Sequence, residues 1–100
     1  MAHAQVTYWR EIPVLVRAWD RTDDVSVPLS QRFQELVDAV AMQDGLSAAH
    51  DYLGEWRTGP DEERPGPARP VAAAVAAALE AGFGEIRARS LRPLGSADPG

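Results

Sequence analysis

The sequence has no cysteine, no lysine and only seven aromatic residues among its 100 positions. Without cysteine, disulfides, iron–sulfur ligation and thiolate chemistry in this chain are excluded. The longest apolar run, residues 71–79, is far shorter than the roughly 20 residues that span a bilayer. The N-terminus has neither a basic start nor a long apolar segment, so we expect no secretion signal and a cytoplasmic location.

The charged residues are unbalanced, with a formal net charge of −5, and all ten basic residues are arginine. An acidic chain is a poor general nucleic-acid binder, because neutralisation of phosphates supplies most of that affinity. We therefore expect neither a nucleic acid nor a membrane as partner. The length and the 45% apolar content are those of one ordinary globular domain.

Three segments near the N-terminus have the composition of β-strands. Residues 5–10 carry β-branched and aromatic side chains, which favour a strand. Pro13 cannot donate a ladder hydrogen bond, so we expect it to end this strand. Residues 14–19 and 24–28 predict two further strands. The three segments together predict a short antiparallel sheet.

Helical patterns follow at residues 30–44, 47–56 and 70–88. Ser30 is a suitable N-cap for the first helix, and the third is expected to bend or fray around Gly82. The apolar stripe of the first helix comprises Leu29, Phe33, Leu36, Val37, Val40 and Ala41. That of the third comprises Val71, Val75, Ala78, Leu79, Phe83 and Ile86.

These elements predict a single α+β domain over residues 1–89, in which three helices pack on a three-stranded antiparallel sheet. Residues 57–69 contain three prolines, two glycines and an acidic run, which predicts a solvated loop. Residues 90–100 have little apolar content, which predicts a disordered tail.

The sequence offers no catalytic or metal-binding constellation. His3 lies in an N-terminus that we expect to be frayed, and His50 has no second nitrogen ligand nearby, whereas a zinc or iron site needs three or four convergent ligands. The Gly82-Phe83-Gly84 segment lacks the preceding strand of a phosphate-binding loop. We therefore expect no catalytic residue, no metal and no cofactor.

Two surface features nevertheless suggest binding. In the first strand, Tyr8 and Trp9 point to opposite faces, and the planar fork of Arg10 can grip a carboxylate or phosphate. Either these side chains form a binding surface, or both aromatic rings pack on the sheet and Arg10 pairs with a helix carboxylate.

The second feature is the outer side of the first helix, where Gln34, Asp38 and Met42 recur at helical spacing. A methionine in a polar stripe can be a soft contact in an interface, although an ordinary wet face is the alternative. Trp56 and Arg57 repeat the Trp-Arg pair just before the loop, where Trp56 can also simply close the core.

Several separated blocks carry a family resemblance. They are Val6-Thr7-Tyr8-Trp9-Arg10-Glu11-Ile12-Pro13, Val27-Pro28-Leu29 with Arg32-Phe33-Gln34, then Asp38, Ala41-Met42, Gly45, Asp51-Tyr52-Leu53 and Trp56-Arg57. Over roughly residues 5–85 the chain resembles the small bacterial domain of the virulence factor family. The family name describes a phenotype and implies no chemistry.

The resemblance implies a stand-alone protein, or a module of the kind fused to Nfu/NifU-like regions and HEAT-type repeats. Some stand-alone members accompany folate- and corrinoid-dependent methyl-transfer enzymes. We therefore expect a non-catalytic accessory or protein-interaction domain with a protein partner. The alternative is a small subunit or ligand-binding module of one-carbon metabolism, in which Arg10 holds a carboxylate. A stand-alone enzyme would need paired catalytic groups, for which the sequence supplies no argument.

Overall fold

A computed structural model describes residues 1–45 and 53–91 of the chain. They form an α+β arrangement of five strands and three helices. The strands are β1 (Ala2–Trp9), β2 (Ile12–Trp19), β3 (Asp24–Pro28), β4 (Trp56–Thr58) and β5 (Glu62–Arg64). The helices are α1 (Gln31–Gln43), α2 (Ala68–Ala81) and α3 (Phe83–Ser90).

The sheet is antiparallel, and β1 is its central strand. Its main order is β3-β2-β1-β4, and β5 also pairs with β1. Because β2 occupies one edge of β1, the two short strands share the other edge. There β4 pairs with the C-terminal half of β1 and β5 with its N-terminal half.

The structure corrects the number of strands from three to five. Segment 57–69, predicted to be a loop, contains most of β4 and all of β5. Strand β3 has the predicted bounds, whereas β1 starts at Ala2 rather than at residue 5. The missed strands are three residues long and mostly exposed, so they carry no hydrophobic alternation.

Pro13 does not end a strand, contrary to the prediction, but lies inside β2. It faces Tyr8, next to a bulge at which Val14 is the extra residue. Val6 and Arg10 lie two residues before and after Tyr8, and their backbone groups bond to Gly59 and Glu55, on the side of β1 away from β2. Because backbone groups alternate in direction along a strand, those of Tyr8 also point away from β2. The β1–β2 ladder therefore requires no N–H from Pro13.

One hydrophobic cluster joins the sheet to the helices. The predicted stripe of α1 is confirmed, since all six of its residues are buried. Helix α2 packs against β1, β2 and β3, and α1 packs against β2. No helix in the described part of the chain is long and apolar enough to cross a membrane.

The predicted third helix is two helices, because α2 ends before Gly82 and α3 begins after it. The Gly82 N–H donates to the Ala78 and Leu79 carbonyls and closes the last turn of α2. The buried stripe of α2 also includes Ala72 and Ala76, whereas Ala78 of the predicted stripe is exposed. At the C-terminus, Leu91 still packs against the core, and positions 92–100 of the expected tail lie outside the described residues.

Most of the predicted second helix, residues 47–52, also lies outside the described residues. Its predicted C-terminal end is wrong, because Gly54 and Glu55 form a turn and Trp56 begins β4. Backbone pairing with β1 therefore determines the conformation at Trp56.

The N-terminus of α1 is capped by a side chain from α2. Ser30 occupies the predicted N-cap position but makes no capping bond of its own. Instead its N–H and hydroxyl donate to the Glu80 carboxylate at 2.7 and 2.8 Å, and Arg32 donates to the same group at 3.0 Å. These bonds, the Ser30 N–H first, lower the pKa of Glu80 and tie α1 to α2.

Asp20 joins the β2–β3 turn to the start of α2. One carboxylate oxygen accepts the N–H groups of Thr22 and Asp23, each at 2.8 Å, and the other accepts the Ala68 N–H at 2.8 Å. The Ala68 bond contributes most to holding the pKa of Asp20 far below its ordinary value. The carboxylate thereby satisfies one of the unpaired donors at the helix N-terminus.

We predict that Asp20→Asn makes unfolding easier at neutral pH and that the difference from wild type shrinks on acidification. A carboxyl with a lowered folded pKa stabilises the fold above its unfolded pKa of about 3.9, and this contribution is lost as the pH falls toward the folded pKa. Denaturant unfolding between about pH 7 and pH 3 measures it.

The matched control is Glu35→Gln, because the exposed Glu35 carboxylate makes no hydrogen bond or ion pair with the described residues. A difference between wild type and Asp20→Asn that stays constant over the whole pH range would contradict the role assigned to the Asp20 charge.

Candidate functional site

The pairing of β1 with β4 brings together the two Trp-Arg segments of the sequence. Tyr8 lies opposite Arg57, and Trp9 lies opposite Trp56. The Arg10 N–H extends this ladder by donating to the Glu55 carbonyl at 2.9 Å. Five of the eight predicted binding residues therefore occupy one corner of the fold, although 46 positions separate Arg10 from Trp56 in the sequence.

Trp9 and Arg10 are engaged inside the molecule. Trp9 is fully buried in the core, with 0% exposure. The Arg10 guanidinium contacts the Asp44 carboxylate at the end of α1 and lies 3.3 Å from a Glu55 oxygen. The bond to Asp44 is the main reason that the pKa of Arg10 is raised. The structure therefore has the second of the predicted arrangements for Arg10, pairing with a carboxylate at a helix end.

The backbone of Arg10 is in the left-handed region, with φ of 54°. It is the first residue of the two-residue turn between Trp9 and Ile12, where glycine is the usual choice. Among the described residues no other non-glycine has positive φ. Such a conformation costs of order 1–3 kcal/mol and persists only where surrounding contacts impose it. The ion pairs of Arg10 supply those contacts.

Arg57 differs from Arg10 because its guanidinium is exposed. Its Nε donates to the Arg10 carbonyl at 2.8 Å, and its central carbon lies 4.4 Å from the centroid of the Tyr8 ring. Behind that ring sits Gly59, where an added Cβ would lie 2.9 Å from the Tyr8 Cε2 atom. Backbone and ring contacts therefore orient Arg57 on a closely packed surface.

The other predicted residues lie on the outer side of α1. Gln34, Asp38 and Met42 are all exposed, and Met42 reaches 83%. The Gln34 amide donates to the Asp38 carboxylate at 3.2 Å. We call this set the α1 outer face. It is a separate surface from the Tyr8–Arg57 contact, although Asp44, two residues beyond Met42, binds Arg10.

Sequence reasoning missed a row of side chains across the sheet, because it placed His3 in a frayed terminus. His3 lies in β1 and stacks on Trp19 with the ring centroids 5.5 Å apart, and its Nδ1 lies 2.9 Å from an Asp61 oxygen. The central guanidinium carbon of Arg17 lies 4.8 Å from the centroid of the Trp19 ring. Its Nη2 and Nε donate to the two Asp24 carboxylate oxygens at 2.6 and 3.0 Å. The alternation of small apolar and polar residues over 2–5 is the signal that would have extended β1.

The geometry includes no assembled metal site, because the described residues hold no group of three His, Asp or Glu side chains that could bind an ion. His50 lies outside the described residues. Three of the described carboxylates pair with an arginine: Asp44 with Arg10, Asp24 with Arg17, and Glu80 with Arg32. These carboxylates act in the fold as acceptors within ion pairs.

Fold and site together define a small α+β domain with an arginine-stabilised corner and an exposed helix face. The family model described as "Virulence factor" matches residues 7–91 of the chain. Since this match covers most of the sequence, the chain belongs to the virulence factor family. Neither the curated proteins nor the solved structures contain a significant match.

We predict that Arg10→Ala destabilises the protein more than Arg10→Gly does. Both changes remove the contacts to Asp44 and Glu55, but only alanine keeps a Cβ in the left-handed region. The difference should be about 1 kcal/mol in the free energy of unfolding, measured by denaturant titration. Equal stability of the two variants, or a more stable alanine variant, would mean that the turn at Arg10 is not held in this conformation.

Proposed function

We propose that the chain is a non-catalytic protein-interaction domain whose partner binds the α1 outer face. The observation that carries the proposal is the exposure of Met42, which is 83% accessible. Methionine is enriched at protein interfaces, and its flexible, polarizable side chain adapts to irregular partner surfaces. An apolar side chain held in water on a well-packed helix becomes stabilising once a partner covers it.

The polar neighbours of Met42 suit such a contact. Gln34 and Asp38 precede it at intervals of four residues, so the three side chains lie along one side of the helix. The bond between the Gln34 amide and the Asp38 carboxylate fixes two of them before any partner arrives. A rigid helix that presents one apolar contact beside ordered polar groups loses little conformational entropy on binding.

The Arg10 corner has a supporting role in this proposal. Trp9 is buried and Arg10 is paired, so neither offers a free contact surface. Through Asp44, however, Arg10 anchors the end of α1 that carries Met42. Sites on rigid, anchored elements keep their geometry better than sites on loops. Trp9 and Arg10 would therefore position the binding helix rather than contact the partner.

The other expectations remain predictions. A role beside folate- or corrinoid-dependent methyl-transfer enzymes follows from the family resemblance alone. In that alternative a ligand carboxylate bound by Arg10 would have to displace the carboxylates of Asp44 and Glu55. The cytoplasmic location likewise rests on the sequence.

Site-specific photo-crosslinking in the native bacterium tests the proposal. A photoreactive residue at position 42 or 38 should capture the same protein, whereas one at Ala77, exposed on α2, should not. Capture of the same set of proteins from all three positions, or from Ala77 alone, would contradict binding at the α1 outer face.

We predict that Met42→Gln abolishes this capture from position 38 while the free energy of unfolding changes by less than about 0.5 kcal/mol, as for other exposed substitutions. Glutamine is similar in length but polar, so it removes the apolar contact and keeps the helix. Ala77→Gln is the matched control, because it adds the same side chain at an exposed helix position outside the proposed surface. Undiminished capture by Met42→Gln would reject Met42 as the central contact.

A further inference from the structure

We propose that the guanidinium of Arg57 is a binding site for a carboxylate group. This inference concerns the Tyr8–Arg57 contact and is independent of the α1 outer face. It rests on two observations: the guanidinium is already oriented by contacts on one side, and no carboxylate among the described residues pairs with it.

The orientation comes from two contacts of different kinds. The Nε–H bond to the Arg10 carbonyl, 2.8 Å long, fixes one edge of the guanidinium. The Tyr8 ring, 4.4 Å from the central carbon, supports one face. Nε is already used, and among the described residues no group binds the two terminal nitrogens of Arg57, so these are available for a ligand. They form the fork that matches the two oxygens of a carboxylate.

The support under Arg57 is itself rigid. Tyr8 is half-buried in β1, directly opposite Arg57 in the β1–β4 pairing. The absence of a side chain at Gly59 allows the ring to lie against the backbone, because a Cβ there would come within 2.9 Å of it. A guanidinium held in this way loses less rotamer freedom on binding than a free one does.

Other arginines in the described part of the chain lack this combination. Arg10, Arg17 and Arg32 each bind a carboxylate in the fold, at Asp44, Asp24 and Glu80. By contrast, Arg87 is exposed, and neither an ion pair nor an aromatic ring orients it among the residues that the structure describes. Among the described arginines, only Arg57 has a guanidinium that an aromatic ring and a carbonyl orient and that no carboxylate pairs with.

The charge at the corner selects a monoanion. Arg10 faces two carboxylates, Asp44 and Glu55, which neutralise its positive charge, so it does not add to the attraction of an anion toward Arg57. A single guanidinium then matches the one charge of a carboxylate. Phosphate sites usually gather several donors or cations. The carboxylate can belong to an acidic side chain of a peptide or to a small organic acid.

The test is a titration followed by NMR of the arginine side-chain NH groups. The probes are acetate, an N-acetyl-glutamyl peptide amide and inorganic phosphate, at constant ionic strength because exposed charges are screened by salt. We expect a saturable shift of the Arg57 signals with at least one of the two carboxylates. Saturation by acetate indicates that a free acid suffices, and saturation by the peptide alone indicates a partner's side chain.

Variants separate this site from general charge effects. Arg57→Lys keeps the charge without the fork and should weaken binding by about tenfold. Because this variant has no Arg57 side-chain signal, its binding is followed through the backbone NH signals of Thr58 and Gly59. Tyr8→Leu removes the aromatic support and should also weaken binding, whereas Tyr8→Phe and the matched control Arg87→Gln should leave it unchanged. Circular dichroism checks that each variant stays folded.

Several results would overturn the proposal. They are linear, non-saturating shifts at every arginine, an equal loss of binding in Arg87→Gln and Arg57→Lys, or tighter binding of phosphate than of either carboxylate.

Discussion

The contact between the Arg10 guanidinium and the Asp44 carboxylate holds the β1–β2 turn against the end of α1. Through Glu55, the same side chain also contacts the segment that leads into β4. Three parts of the chain that are distant in sequence therefore meet at one charged group. The left-handed backbone of Arg10 costs of order 1–3 kcal/mol, and these contacts are among those that hold it in place. Met42 lies two residues before Asp44, and Arg57 donates to the Arg10 carbonyl, so both proposed binding surfaces adjoin this corner.

Local patterns were sufficient to predict α1 and β3, because each has a strong period or composition of its own. They were insufficient for β4 and β5, whose exposed residues are strands only because the edge of β1 offers them backbone partners. The presence of Pro13 inside β2 has a similar cause. The direction in which the backbone groups of Tyr8 point is set by the assembled sheet, so the local sequence does not predict it.

For the candidate site, too, some features could be predicted from the sequence and others could not. Composition alone selected Tyr8, Trp9, Arg10, Trp56 and Arg57, and the β1–β4 register brings them together. The sequence left two arrangements open for Arg10, since its partners Asp44 and Glu55 come next to it only in the folded chain. The bond from Arg57 to the Arg10 carbonyl likewise depends on the strand pairing. On α1, by contrast, helical spacing alone was enough to predict that Gln34, Asp38 and Met42 share a face.

The central claim is that Arg10 acts within the fold, by pairing with Asp44, and thereby positions the surfaces proposed for binding. A double-mutant cycle with Arg10→Gln and Asp44→Asn tests it most directly, using the free energy of unfolding of the four proteins. The account predicts a favourable coupling energy between the two side chains within the range of about 0.5–3 kcal/mol that contacting residues show. Additive effects, with a coupling below about 0.3 kcal/mol, would contradict it.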